Sequence, residues 1–76
     1  MKYTVKEYLV IDITDYRSIG RGIIGLILER IEEIDYCSSN FRDENTILVF
    51  LKDKNNNYPD LIKKIQIELE IKKNKI

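Results

Sequence analysis

Residues 18–34 read SIGRGIIGLILERIEEI, and this stretch holds both the longest helix-like apolar pattern of the chain and all three of its glycines. Side chains recur there at three- and four-residue spacing, which places them on one stripe of a helix. They are Ile19, Ile23, Leu26, Ile27, Arg30, Ile31 and Ile34, with Ile24 and Leu28 widening the stripe. The glycines at 20, 22 and 25 also spell G-x-G-x-x-G, the phosphate-binding turn of dinucleotide sites. The stretch is therefore either a helix that covers a sheet or a nucleotide-binding turn.

Spacing disfavours the nucleotide-binding interpretation. In dinucleotide sites the first glycine follows the strand directly, whereas here the strand pattern ends at residue 13 or 14, and five or six residues separate it from Gly20. The acidic residue expected about 20 positions further on would be Asp53, which lies 28 residues after Gly25. We therefore expect a helix whose glycines permit close packing against the sheet or a symmetry mate, because each glycine within a helix otherwise costs about 1 kcal/mol. A late helix start, at residues 19–22, is the alternative.

The segment Tyr3–Ile13, ahead of this helix, has the alternation of a strand. Its odd positions are mostly apolar and β-branched, which directs them toward a core. Tyr8 and Val10 make the second half apolar on the even face as well. A strand that is apolar on both faces is normally central in its sheet.

The second half of the chain predicts two strands and a helix. Residues 34–41 indicate a short edge strand, followed by a polar hairpin connection. Thr46–Leu51, TILVFL, is the clearest strand and is again apolar on both faces. A helix begins at Pro59, which suits a first helical turn, and extends into the high sixties. Residues 67–73 fit either its continuation or a fourth strand, because apolar and polar residues alternate there.

This order of elements predicts an α+β fold: a two-layer α/β sandwich in the β-α-β-β-α(-β) ferredoxin-like order, with an antiparallel-containing sheet and the helices on one face. Residues 1–76 are expected to form a single domain. The helices then leave the second sheet face open, and four apolar residues lie on it: Tyr8, Val10, Leu48 and Phe50. We expect this patch to be a protein interface, most simply that of a two-fold homodimer. The alternative is that the C-terminal tail folds over it.

The amino-acid composition excludes several classes of function for this chain. The 13 basic and 13 acidic residues cancel, so no net field favours nucleic acid or an anionic membrane. There is no His and one Cys, Cys37, which excludes imidazole-based catalysis, His or multi-Cys metal sites and an internal disulfide. No catalytic residue, metal or other cofactor is predicted, and we expect a non-enzymatic, cytoplasmic protein without a signal peptide or membrane span. Thr46–Leu51 contains a single aromatic residue and no basic one, so RNA binding is not expected.

In outline the chain resembles the small ACT-type regulatory domains. The shared features run over residues 7–66: the strand EYLVIDI, an Asp after it, a glycine-containing helix start, the helix to Ile34 and the strand TILVFL. The resemblance implies a non-enzymatic module that dimerises through its sheet and binds a small effector where the first strand meets the first helix. The candidate effector-binding residues are Asp15, Arg17, Gly20 and Arg21. The family's Asp-x-Pro-Gly turn is replaced by Asp-Tyr-Arg-Ser at residues 15–18, a departure that bears on effector binding and not on dimerisation.

The sequence thus predicts a small regulatory or protein-interaction module that homodimerises through its sheet, with binding of a small-molecule effector as an addition. The alternative is a small accessory or inhibitor protein, for instance one encoded by a mobile element, that docks its apolar sheet face on a larger protein. Nucleotide binding through Gly20 to Gly25 ranks third.

Overall fold

The computed structural model describes residues 1–75 and has the predicted α+β class, with a four-stranded antiparallel sheet and two α-helices. In chain order the elements are β1 (Tyr3–Val5), β2 (Leu9–Asp12), a 3-10 turn (Thr14–Tyr16), α1 (Arg21–Glu29), β3 (Ile34–Ser39), β4 (Thr46–Leu51) and α2 (Tyr58–Lys73). The strands lie in the order β1-β2-β4-β3, and every neighbouring pair is antiparallel.

The prediction of a single strand over Tyr3–Ile13 is wrong, because the chain folds back on itself at residues 6–8. Thr4 pairs with Val10, so the two halves of the segment form the antiparallel β1–β2 hairpin. Glu7 explains the break: on a continuous strand it would take an inward position, and burial of an unpaired carboxylate is strongly unfavourable. In the turn Glu7 is exposed to solvent.

The hydrophobic core lies between the sheet and the two helices. Antiparallel partners point to the same side of a sheet, and the inward pairs of the two central strands are Leu9 with Val49 and Ile11 with Ile47. These four side chains are at most 2 % exposed. The helices complete the core with Ile24, Leu28, Leu61, Ile62, Ile65 and Leu69. Both helices therefore pack on the same face of the sheet.

Helix α1 is shorter than predicted and presents a different side to the sheet. It ends at Glu29 rather than at Ile34, because Ile34 opens β3 and is buried there. Its buried residues are Ile24 and Leu28, four positions apart, and in a helix of nine residues this pair fixes the direction of the apolar stripe. Two residues that were predicted to lie on the central stripe are instead 46 % and 62 % exposed, namely Ile23 and Leu26.

Helix α2 settles the ambiguous C-terminal pattern. The Asn57 side chain caps its start, and the helix continues to Lys73, so residues 67–73 are helical and do not form a strand. The alternation of apolar and polar residues at 67–73 does not reflect a strand. Ile67 and Ile71 lie on the solvent side of α2 and are 58 % and 47 % exposed.

The structure does not confirm the complete ferredoxin-like order. Within residues 1–75 no strand follows α2, and the position beside β2 is taken by the N-terminal strand β1. Strands β2 and β3 both run antiparallel to β4, so they are parallel to each other, with α1 as the crossover between them.

The predicted close packing of the glycines against the sheet is wrong. A Cβ atom added at Gly20 or Gly22 would meet nothing within 4 Å, and one at Gly25 would make an ordinary contact of 3.8 Å with the Cys37 Cβ. Gly20 is instead the N-cap of α1 with a φ of 91°, a conformation that side chains with a Cβ rarely adopt. The helix starts late, at Arg21, as the alternative held. Nothing in the structure explains the glycine at 22.

Replacing each of two glycines with alanine tests this assignment. Gly20→Ala is expected to lower the free energy of unfolding by about 1 to 2 kcal/mol, because of its positive φ. Gly22→Ala is expected to leave stability unchanged or raise it by up to about 1 kcal/mol, through helix propensity. Urea denaturation measures both, and equal effects of the two substitutions would contradict the assignment.

Candidate interaction surface

The sheet face opposite the helices carries an apolar patch at its centre. Val10 on β2 pairs with Leu48 on β4 and, because side chains alternate along a strand, both point away from the core. The rings of Tyr8 and Phe50 lie together on the same side. We call Tyr8, Val10, Tyr36, Leu48 and Phe50 the open sheet face. The four residues predicted from sequence thus share one surface, and none of the five belongs to the core.

Phe50 is the centre of an aromatic cluster on the open sheet face. Its ring stacks on that of Tyr36, with centroids 4.5 Å apart and planes 7° from parallel. It also contacts the Tyr8 ring at a centroid distance of 5.3 Å and an angle of 38°. Aromatic pairs at such distances contribute roughly 0.5 to 1.5 kcal/mol beyond the area they bury. The cluster is therefore ordered by its own contacts while Tyr36 keeps 48 % of its surface exposed.

Tyr36 reaches this cluster through a β-bulge. Ile34 lies opposite Leu51 and Tyr36 opposite Phe50, so two steps along β3 correspond to one step along β4. Asp35 is the extra residue. Without it Tyr36 would share the side of Ile34, which is 1 % exposed in the core. A bulge re-aims the side chains that follow it, and here it turns a tyrosine onto the open sheet face.

Tyr36 was not predicted to lie on the open sheet face, because strict alternation from Ile34 directs it inward. A signal was available: Ile34 and Cys37 are residue types that favour burial, and a spacing of three puts both inward only if one residue is inserted. In the structure Cys37 does lie opposite Val49 and packs against the core.

The open sheet face is uncharged and has a polar border. The edge strands contribute hydroxyl groups, from Thr4 on β1 and Ser38 on β3. Asp12, at the end of β2, adds a carboxylate to the border. The Thr14 N–H donates a hydrogen bond of 2.8 Å to the Asp12 Oδ1. Hydrogen bonds from the side chain and backbone of Thr14 lower the pKa of the Asp12 carboxyl. An apolar centre with a polar rim is the usual anatomy of a protein interface.

The candidate effector-binding residues lie between β2 and the first turn of α1: Asp15, Arg17, Gly20 and Arg21. Asp15 borders a cavity of about 430 Å³, whereas Arg21 borders a separate depression of about 170 Å³ between α1 and β3. The Arg17 Nη2 lies 3.6 Å from the Glu44 Oε1, and both side chains are exposed. Among the described residues, these side chains therefore do not converge on one ligand-sized site.

The connection into α1 differs from the tight turn of a dinucleotide site. Strand β2 ends at Asp12 and α1 begins at Arg21, with the 3-10 turn between them. Tyr16 and Ile19 are buried, so the connection is anchored to the core. The Tyr16 hydroxyl also donates a hydrogen bond of 2.8 Å to the Glu70 carboxylate on α2.

Cys37 lies on the helix side of β3, beneath α1. Burial, and to a smaller extent the Glu29 carboxylate, raises the pKa of its thiol to about 12. Because the thiolate is the nucleophilic form of cysteine, this thiol is unreactive near neutral pH.

Within residues 1–75 there is neither a cluster of metal ligands nor a membrane-spanning helix. No group of three or more metal-ligating side chains is close enough together to hold an ion in this part of the chain. None of its helices combines the length and the apolar character that crossing a membrane requires. Comparison with protein-family models, with curated proteins and with solved structures finds no match to the chain.

Alkylation of Cys37 tests its environment. At pH 9 a pKa of about 12 leaves a thiolate fraction on the order of 0.001. An unfolded thiol is at least half ionised at pH 9, so iodoacetamide is expected to modify the native protein roughly 500-fold more slowly than the same chain unfolded in guanidinium. The native rate should keep rising with pH through 10 and 11, as followed by mass spectrometry. A native rate that levels off near pH 9 would contradict the raised pKa.

Proposed function

We propose that this protein is a non-enzymatic interaction module that forms a two-fold homodimer by burying its open sheet face against a second copy of itself. The observation that carries the proposal is the aromatic cluster of Tyr8, Tyr36 and Phe50, which lies outside the hydrophobic core. Tyr36 is exposed and the other four residues of the open sheet face are half-buried; a contiguous apolar patch of this kind outside the core marks an interaction site. Aromatic residues are enriched at the centres of protein interfaces, where they contribute most of the binding energy.

Three properties of the molecule favour a second copy as the occupant. The centre of the face lies on the paired strands β2 and β4, and two sheet faces pack at about 10 Å with interdigitating side chains. A two-fold axis near Phe50 would bring the same apolar residues opposite each other. The formal net charge is zero, so two copies do not repel each other at long range.

The absence of catalytic activity is supported by the chemistry of the side chains. The sequence contains no His, and the raised pKa of the Cys37 thiol keeps it protonated near neutral pH. The open sheet face offers two tyrosine hydroxyls and no carboxylate, amine or thiol.

We also propose that the fold is a variant of the ferredoxin-like arrangement found in ACT-type domains. The unit β2-α1-β3 supports this, because its two parallel strands are joined by a helical crossover with β4 between them. In this variant β1 takes the place beside β2. We do not propose effector binding, because Asp15 and Arg21 border separate cavities and so cannot contact the same small ligand.

The mass in solution tests the dimer. Size-exclusion chromatography with light scattering is expected to give twice the 9.1 kDa mass of the chain. Phe50→Ser is expected to weaken dimerisation by roughly 30-fold or more, since loss of a central aromatic anchor costs about 2 kcal/mol or more. Tyr36→Lys, at a position that is half exposed, should do the same with less risk to folding.

The matched control is Phe41→Ser. Phe41 is 97 % exposed in the connection after β3, so the same substitution there should leave the mass unchanged. A wild-type protein that stays at 9.1 kDa at the highest soluble concentration would contradict the homodimer. That result would favour docking of the open sheet face on a larger protein.

A further inference from the structure

The outer edge of β3 has backbone groups that no other strand within residues 1–75 pairs. β3 is the last strand of the sheet on the side opposite β1. Its Cys37 N–H donates to the Glu29 carboxylate at 3.0 Å and therefore points away from β4. In an antiparallel strand the N–H and C=O of one residue point to the same side. Cys37 thus presents both a donor and an acceptor at the edge, the pair of groups to which another strand adds.

The Glu29 carboxylate, which lies outside the sheet, accepts the hydrogen bond from the Cys37 N–H. Glu29 is the last residue of α1, and its bond to Cys37 is exposed to solvent. Water satisfies an exposed N–H equally well, so the bond does not compensate for a buried group. An incoming strand, in contrast, must place a carbonyl oxygen where the Oε2 of Glu29 lies. It would also bury the carboxylate charge unless Glu29 moved away, which is unfavourable.

Other features of both sheet edges also oppose strand addition. The bulge at Asp35 interrupts the start of β3. The other edge strand, β1, has only three residues and is flanked by Lys2 and Lys6. Bulges, short edge strands and charged residues at the edge are devices by which natural sheets avoid edge-to-edge pairing. Residues 36–39 are the regular stretch that remains, and Glu29 covers its central donor.

We infer that the Glu29 carboxylate closes the β3 edge to strand addition by β3 of a second copy. The strand is self-complementary in the antiparallel register centred on Cys37, because each Cys37 N–H then faces the Cys37 carbonyl of the other copy. No like charges oppose each other in this register, since Asp35 falls opposite Ser39. The inference concerns a surface distinct from the open sheet face and does not depend on the proposed dimer.

The test compares Glu29→Ala with Glu68→Ala, which removes the same charge from an exposed position on α2. Glu29→Ala is expected to raise the weight-average mass by light scattering roughly twofold or more over its parent. Glu68→Ala should leave the mass unchanged. In hydrogen exchange, the Cys37 amide of Glu29→Ala should become more protected as concentration rises, because it then donates to the Cys37 carbonyl of the second copy.

Two outcomes would overturn the inference: a Glu29→Ala mass equal to that of its parent over the whole concentration range, or a heavier species whose β3 amides exchange as fast as in dilute protein. Repeating the comparison in the Phe50→Ser background separates the two surfaces. The loss of mass in Phe50→Ser alone measures pairing through the open sheet face. The increase in mass that Glu29→Ala causes over each parent, wild type or Phe50→Ser, measures pairing through the β3 edge. If the wild-type protein is a monomer, the proposed dimer fails while the edge comparison stands.

Discussion

The antiparallel pairing of β2 with β4 is the constraint on which the two faces of this protein depend. Leu9 with Val49 and Ile11 with Ile47 face the helices and form the centre of the core. Because side chains alternate strictly along a strand, Val10 and its neighbours on β4 must then point the other way. A slip of one residue would exchange the two faces. The helices cover only one face, so an apolar surface on the other follows directly from this register.

The bulge at Asp35 is the second constraint, and it acts on both the face and the edge of the sheet. One inserted residue allows Ile34 and Cys37 to contact the core while Tyr36 stacks on Phe50. The same insertion shortens the regular part of the outer edge, where Glu29 binds the Cys37 N–H. The surface that we propose for pairing and the surface that we infer to be closed are therefore shaped by the same short strand.

Much of the fold could be predicted because its main patterns are local. Residues 47–51 form a continuous apolar run, and α2 has a proline in its first turn, helix formers and an inward stripe from Leu61 to Leu69. The placement of Tyr8, Val10, Leu48 and Phe50 on one sheet face could be predicted from the alternation of side chains along two strand segments alone.

The remaining features depend on tertiary contacts that no short pattern encodes. The hairpin at residues 6–8 reflects the cost of burying Glu7, which alternation alone does not weigh. The direction of α1 is set by which isoleucines meet the sheet, and nearly every position from Ile23 to Leu28 is apolar. Tyr36 was missed because an inserted residue changes the facing of everything after it. The contact between Glu29 and β3 joins a side chain to a backbone group of another element, which a linear pattern does not show.

Packing of two open sheet faces predicts that the Phe50 ring of one copy lies roughly 4.5 to 7 Å from apolar groups of the other. An isotope-filtered NOE experiment on an equimolar mixture of labelled and unlabelled protein measures this contact directly. We predict intermolecular NOEs from the Phe50 ring to the methyl groups of Val10 and Leu48. Intermolecular NOEs confined to exposed residues of the helix layer, such as Ile67 and Ile71, would contradict the account, as would the absence of any intermolecular NOE.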